Sequence, residues 1–274
     1  MRIGISGANG YIGKNLYNFL LKKKSSNEII IFDPRKNNIP DDLGLIYHLG
    51  FGSFNQYKNN SVKIMQRDEK SAKNIGKYCK DNGTKLIFCS SAAVYEPSSN
   101  LLTEKSIVKP QTDYGLSKLK IENLLQHYSE SSFVLIIFRL FNLYGPHQSS
   151  DFLIPQIIES IKLDKQLTIK NPNAIRDFIF LDDCLSILEK SNEKISENVI
   201  LNLGSGVGID VKTAISIIKK ANGKDIISKI KINNDDENAY NFYVADIKKI
   251  KKYFGNIDFI NFRKGINKII NQIN

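Results

Sequence analysis

Tyr114 and Lys118 stand four residues apart in the run TDYGLSKLKIE. On a helix that spacing puts the phenol and the ammonium on one face, one turn apart. A free tyrosine titrates near pH 10, too high for proton exchange at neutral pH, and a fixed positive charge beside it favours the phenolate. Lys118 is therefore expected to lower the pKa of Tyr114 and make it a proton donor and acceptor. A tyrosine and a lysine also share helix surfaces by chance, so the pair takes its meaning from the runs around it. The first is GANGYIG, with Gly7, Gly10 and Gly13 three residues apart. Glycines at that spacing permit a tight turn and the close approach of a pyrophosphate, which then rests on amides at the positive end of a helix. The second is EIIIF, which ends in Asp33, twenty residues past Gly13. An acid at that distance can bond a ribose diol.

These residues need a particular set of elements. Arg2 to Ser6 reads as a strand, YIGKNLYNFLLKKK as a helix and Glu28 to Phe32 as the next strand. Only PRKNNIPDDLG separates Asp33 from the following strand, LIYHLG at Leu45 to Gly50. That is too little for a further helix, strand and their turns, so the sheet is expected to end at the Glu28 to Phe32 strand. A helix from about Ser61 to Asp81 should stop at Asn82 and Gly83. KLIFCSSAAVYE, Lys85 to Glu96, reads as a strand that delivers Ser90, Ser91 and Tyr95 to its carboxyl end, where ligands of parallel sheets collect. A polar, proline-bearing loop leads to the Tyr114 helix, and SFVLIIFRLFNLYGP gives another buried strand ending at Arg139, Asn142 and Gly145. Beyond Pro146 the pattern becomes mixed. A helix near Phe152 to Ile161, strands in QLTIK, AIRDFIF and NVILNLGSG, helices starting at LDDC and Val211, a loop at Asp235 to Asn238, and two closing helices make up an α+β region. The fold class is thus α/β, a doubly wound parallel sheet with a smaller C-terminal α+β lobe.

The 274 residues, 42% hydrophobic, suffice for one large core. No apolar run reaches membrane-spanning length, and the N-terminus lacks a charged-then-apolar leader pattern, which points to a cytoplasmic protein without a membrane partner. Cys79, Cys89 and Cys184 are odd in number and lack metal-ligand spacing, so they read as buried thiols, with no metal expected. The net charge of +11 is spread over scattered lysines with no basic stripe among aromatics. It argues against nucleic acid as the partner, while the positive field would attract an anionic substrate.

Taken in order, GANGYIG, IYHLG, CSSAAVYE, YGLSK, FRLFNLYGP, IRDFIFLDD and NLGSG resemble the extended short-chain dehydrogenase/reductase superfamily, in its NAD-dependent epimerase/dehydratase branch acting on nucleotide sugars. The resemblance covers nearly the whole chain. It implies a Rossmann-type cofactor domain, residues 1–146, trimmed on the adenine side, and a lobe, mainly residues 147–274, for a nucleotide-diphosphate sugar, with segments free to return to the main sheet. Carried onto this sequence, it implies that Gly7, Asn9, Gly10, Tyr11, Ile12, Gly13, Asp33, Leu49 and Gly50 hold the cofactor, together with Tyr114 and Lys118. It implies catalysis by Tyr114, Lys118 and Ser91, and substrate contacts from Ser91, Asn142 and Arg176, where an arginine fork suits phosphate oxygens. An alternative for Arg176 is a salt bridge to neighbouring acids such as Asp177. His48 reads as structural. Asp33 favours NAD(H), because a carboxylate repels a 2′-phosphate, while Arg35 and Lys36 could accommodate the phosphate of NADP(H).

Two departures shape the expected chemistry. Glu96 stands where the family usually has glycine, and the strand that would contact adenine is missing. More telling, sugar dehydratases of this family follow the Ser/Thr with an aspartate and a glutamate, and those places are Ala92 and Ala93 here. Methyl groups transfer no protons, so the resemblance implies hydride transfer at carbon 4 of a nucleotide sugar and no dehydratase. Its first form is a 4-keto sugar reductase. The alternatives are a 4-epimerase with bound NAD and a non-catalytic nucleotide-binding member of the fold. A homodimer is compatible with the sequence, which does not set the oligomeric state.

Overall fold

The computed structural model describes residues 1–23, 25–36, 38–169, 171–223, 230–232 and 242–273. Alternating strands and helices open the chain: β1 (Arg2–Ser6), α1 (Tyr11–Leu21), β2 (Ile29–Phe32), β3 (Leu43–His48), α2 (Phe54–Asn82), β4 (Lys85–Ser91), α3 (Asp113–Ser129) and β5 (Leu135–Leu140). There follow β6 (Asn142–Tyr144), α4 (Leu153–Leu163), β7 (Leu167–Ile169), β8 (Ile175–Phe180), α5 (Leu181–Lys194), β9 (Val199–Leu203), β10 (Gly208–Asp210), α6 (Val211–Ala221), β11 (Ile230–Ile232), β12 (Phe242–Tyr243), α7 (Lys248–Phe254) and α8 (Phe262–Ile273). Six parallel strands pair in the order β2-β1-β3-β4-β5-β9.

The sheet is apolar on both faces, as a parallel sheet covered by helices must be. One face packs Ile3, Ile5, Tyr47, Ile87 and Phe138 against α1, α5 and α7, and the other packs Ile46, Leu86, Phe88 and Ile137 against α2 and α3. The order reverses at β1, which has β2 on one side and β3 on the other. That is where a doubly wound sheet opens its crevice. The expected truncation is present: β2 is the edge, and a single 3₁₀ turn, Pro34–Lys36, occupies the link to β3. β9 sits beside β5 because Val199, Leu201 and Leu203 are buried and its neighbouring strand is buried throughout.

α2 begins earlier than its hydrophobic pattern suggests. Ser53 caps it, accepting from the Gln56 amide at 3.3 Å while Gln56 accepts from the Ser53 amide at 3.0 Å. The helix is interrupted at Asn60 (φ −159°, ψ 72°), so residues 54–59 form a separate first segment. Its end is as expected, with Gly83 in the left-handed region at φ 64°.

A second core lies under the C-terminal lobe, where Tyr144, Ile157, Phe178, Phe180, Ile215, Phe262 and Ile266 meet. There β8 is central, pairing with β10, β12 and β6. The expected loop at Asp235 to Asn238 lies outside the described residues.

Candidate active site

Gly7 leaves β1 at φ +81°, and a Cβ there would collide with the Gly50 backbone. The Gly10 amide closes the turn on the Gly7 carbonyl at 2.9 Å, and a Cβ on Gly13 would meet that same carbonyl. Gly7 and Gly13 are thus required by backbone meeting backbone, which brings the start of α1 hard against the ends of β1 and β3. Leu49 follows β3 into this place, its amide donating to the Ser6 carbonyl at 3.1 Å, so Leu49 and Gly50 stand beside the turn. Asn9 is exposed at its tip and Ile12 half-buried. The first amides of α1, beyond the reach of any helix carbonyl, face the crevice as an anion cradle. The Tyr11 side chain has other work. Its hydroxyl donates to the Pro146 carbonyl at 2.9 Å, and burial pushes its pKa up, so only its amide remains for a phosphate.

Ser6 pairs with Phe32, so Gly7 and Asp33 leave adjacent strands side by side. This cradle fits a dinucleotide: a positive helix end for the diphosphate, a backbone approach that no side chain fills, and an acid beyond the neighbouring strand. Asp33, however, is already gripped by Arg35, with Nε on Oδ1 at 2.7 Å and Nη2 on Oδ2 at 2.6 Å. That hydrogen-bonded guanidinium holds the carboxyl below its usual range.

At the other end of the crevice Ser91 ends β4 and its hydroxyl accepts from the Ala93 amide at 3.1 Å. Thr112 caps α3 through the Gly115 amide at 3.1 Å, which fixes the turn carrying Tyr114. Gly115 lies so close to the Ala93 carbonyl that a Cβ would overlap it. Ser91, Tyr114 and Lys118 are thereby brought to one place. The expected lowering of the phenol pKa is not found. Burial drives Tyr114 up to about 12, and a hydrogen bond with Ser91 acts in the opposite sense. Lys118 does not offset this, because its ammonium donates to the Cys89 carbonyl at 2.8 Å and rests 3.7 Å from the Phe51 ring centre, 5.8 Å from that of Tyr114. Burial in this aromatic cage draws Lys118 down to about 8. His48 packs against Phe51 and shares a 2.6 Å hydrogen bond with Ser6. Burial takes it down to about 3, so it is neutral in the interior.

A cleft of about 400 Å³ opens beside Ser91, walled by Phe54, Ala92, Ala93, Thr112, Leu140, Phe141, Asn142, Arg176 and Tyr243. No carboxylate lines it among the described residues. Arg176 lies over the Tyr243 ring at 5.4 Å and donates to the Ile175 carbonyl at 3.1 Å. The alternative partner Asp177 points into the lobe instead, accepting from Ser205, Gly206 and Ala245 amides at 2.7, 2.9 and 3.1 Å. Asn142, whose amide donates to the Asp177 carbonyl at 3.3 Å, stands next to Arg176 across the β6–β8 pair.

Two residues placed at the strand end by sequence turn away from the cleft. Tyr95 is fully buried with its hydroxyl donating to Asn202 Oδ1 at 2.6 Å, under the Arg139 guanidinium. Ser90 faces the opposite side of β4 from Ser91, as strand alternation requires, and is buried. Sequence reasoning missed Phe54, Tyr57 and Tyr243. Phe54 and Tyr57 stand edge-on to Tyr114, with ring centres at 6.2 and 5.7 Å. Their signal was the S-x-x-Q capping box at Ser53 and Gln56, which starts the helix seven residues before its apolar pattern does. Tyr243 carries no such signal.

Comparison with known proteins bears on the family and the fold. The family described as NAD dependent epimerase/dehydratase matches residues 3–204. The chain is 29% identical over 231 residues to a GDP-6-deoxy-D-talose 4-dehydrogenase of Aggregatibacter actinomycetemcomitans, covering 77% of this chain and 76% of that one. It is 27% identical over 315 residues to a dTDP-4-dehydro-6-deoxyglucose reductase of Escherichia coli, covering 98% and 96%. The fold is shared with a dTDP-glucose 4,6-dehydratase from Streptomyces venezuelae solved with NAD bound, at a TM-score of 0.89 and 18% identity over 99% of this chain and 96% of that one.

Proposed function

The chain belongs to the NAD dependent epimerase/dehydratase family, and from that premise we propose that it reduces a carbon-4 ketone of a nucleotide-diphosphate sugar. The observation that carries this reading is a cleft that joins Ser91 to Arg176 and Asn142 yet holds methyl groups, Ala92 and Ala93, where acid–base chemistry at neighbouring carbons would need carboxylates. The relatives include enzymes of dehydratase, epimerase and reductase type, so the exclusion of a dehydratase rests on those two alanines.

A bound nicotinamide cofactor supplies the hydride. Tyr114, held protonated by burial with a pKa near 12, gives its proton to the carbon-4 oxygen, and Ser91 hydrogen-bonds the same oxygen. A phenol kept neutral suits proton donation, and thus reduction, better than removal of a hydroxyl proton. Lys118 braces this corner from Cys89 and lends positive charge when protonated. Arg176 and Asn142 take the substrate's diphosphate, with Phe54 and Leu140 closing the apolar side of the sugar site.

A 4-epimerase is the second reading, favoured by the same carboxylate-free cleft, since epimerisation through a transient ketone also needs only hydride transfer and the tyrosine. The test is to denature purified protein, assay the supernatant for nucleotide, then follow NADH and NADPH consumption with a panel of nucleotide 4-keto sugars, and analyse the products formed from nucleotide hexoses without added cofactor. The reductase reading expects little bound NAD and one reduced cofactor consumed per 4-hydroxy nucleotide sugar formed. Near-stoichiometric NAD with interconversion of carbon-4 epimers overturns it for the epimerase. Water loss from a 4-hydroxy sugar restores the dehydratase. Binding of nucleotide without turnover of any sugar leaves a binding protein.

A further inference from the structure

Three aromatic rings reach the Tyr114–Lys118 face from one short segment, the residues between β3 and the break in α2 at Asn60. Phe51 lies against the Lys118 ammonium with its ring centre at 3.7 Å, Phe54 walls the cleft, and Tyr57 stands edge-on to Tyr114 at 5.7 Å. A helical stretch as short as 54–59 does not hold itself in water, so a group outside it must fix it. That group is Asp68, which lies on α2 past the break and is 1% exposed. Its Oδ2 accepts from the Gly52 amide at 2.8 Å and from the Tyr57 hydroxyl at 2.9 Å, so it grips both sides of Phe54. Its Oδ1 is taken by the Arg67 fork at 2.9 and 3.0 Å, which pairs the buried charge. Tyr57 has one hydroxyl hydrogen and gives it to the carboxylate, which leaves its oxygen to accept from Ser117 Oγ at 2.6 Å. Ser117 precedes Lys118 on α3. One carboxylate thus links the segment to the helix that carries Tyr114 and Lys118, and it does so without lining the cleft. Burying a charge is a costly way to fasten a loop, but hydrogen bonds to a carboxylate fix direction, which apolar contacts do not.

We propose that Asp68 is a positioning residue of the active site: it sets Phe51, Phe54 and Tyr57 against the Tyr114–Lys118 face and so shapes the pocket in which the sugar meets its proton donor. This rests on the reading of the crevice as the reaction site and is independent of whether the sugar is reduced or epimerised.

Asp68→Asn and Asp68→Ala separate the tether from the charge. With its oxygen on Gly52 and Tyr57, asparagine keeps both tethering bonds and turns its amide toward Arg67, which at 30% exposure is able to move into solvent. Alanine loses every bond. The chain contains no tryptophan, so Phe54→Trp places a single indole on the segment, and its emission is read with and without each Asp68 substitution. kcat and KM are measured in the native Phe54 background, well below each melting temperature, with the nucleotide sugar that wild type turns over fastest. Asp68→Ala is expected to move the emission to longer wavelength and to lower kcat/KM at least about tenfold, because displacing groups around a reacting centre by about 1 Å costs up to about 10² in rate. Asp68→Asn is expected to keep the emission and to stay within about threefold of wild-type kcat/KM, since it gives up only a partly exposed ion pair. Tyr57→Phe removes one of the tethers, is expected to fall between the two, and serves as the test should Asp68→Ala fail to fold. A lower melting temperature with unchanged kcat/KM and emission overturns the positioning role and leaves a purely structural one. Asp68→Asn as impaired as Asp68→Ala overturns the tether. If wild type turns over no nucleotide sugar, the proposed reaction fails, and the emission comparison alone then decides for or against the tether.

Discussion

Gly115→Ala is the sharpest probe of how the crevice positions its proton donor. A Cβ at that position would overlap the Ala93 carbonyl oxygen and lie 3.0 Å from its carbon and 3.1 Å from Pro110 Cβ. Carbon atoms settle at about 3.5–4.0 Å, so α3 and the 92–94 turn must separate by about 0.5–1 Å. Tyr114 rides on that first turn of α3, and Ser91 is tied to the other side through the Ala93 amide. The separation thus falls on the Tyr114–Ser91 pair itself. A misplacement of about 1 Å costs about 10² in rate, and overpacking of a tight contact costs about 1–3 kcal/mol of stability. The expected result is kcat for keto-sugar reduction down about a hundredfold, with NADH affinity unchanged, because the glycine turn lies at the far end of the crevice. Leu116→Ala, on the exposed side of the same turn, should leave kcat intact. Wild-type kcat in Gly115→Ala, or a loss of NADH binding as large as the loss of kcat, would refute the reasoning.

Tyr114→Phe should lower kcat by about 10²–10⁴ while leaving NADH binding and the melting temperature near wild type, and near-normal turnover would remove Tyr114 from the mechanism. Asp33→Ala should weaken NADH and, by releasing Arg35, tighten NADPH. Equal losses for both in titration would contradict the assignment. Lys118 has a folded pKa near 8 against 10.5 for the free group, so between those values the unfolded chain binds more protons and stability rises with pH. Lys118→Met should therefore be more stable than wild type below about pH 8, by an amount on the order of 3 kcal/mol that shrinks towards pH 10 in urea melts. A stability difference independent of pH would show that the ammonium is not buried at a cost.

Local chemistry was legible where the constraint is local. Gly7 and Gly13 are dictated by backbone contacts that any side chain would violate, and Gly83 by a left-handed helix end. The edge at β2 followed from arithmetic on the few residues between Asp33 and Leu43. The four-residue spacing of Tyr114 and Lys118 placed them on one helix, and a hydroxyl before that helix is the ordinary cap. Family-level resemblance added Ser91, Asn142 and Arg176, which the strands bring to one cleft.

What the sequence left open depends on direction and burial, which only packing decides. Spacing says that Lys118 lies one turn from Tyr114. It does not say that the ammonium turns to the Cys89 carbonyl over the Phe51 ring, so that burial and not the neighbouring charge governs the phenol. The type of residue 33 says acid, but the fork from Arg35 decides whether that acid is open. Ser90 and Ser91 are chemically alike, and the pleat of β4 sends one into the interior and the other to the cleft. Phe54 and Tyr243, far apart in the chain, become walls of one site because α2 starts at Ser53 and β12 lies along β8. Residue type and spacing are properties of a short stretch of chain. A pKa or an open carboxylate edge is set by atoms from several stretches at once, and those meet only in the folded protein.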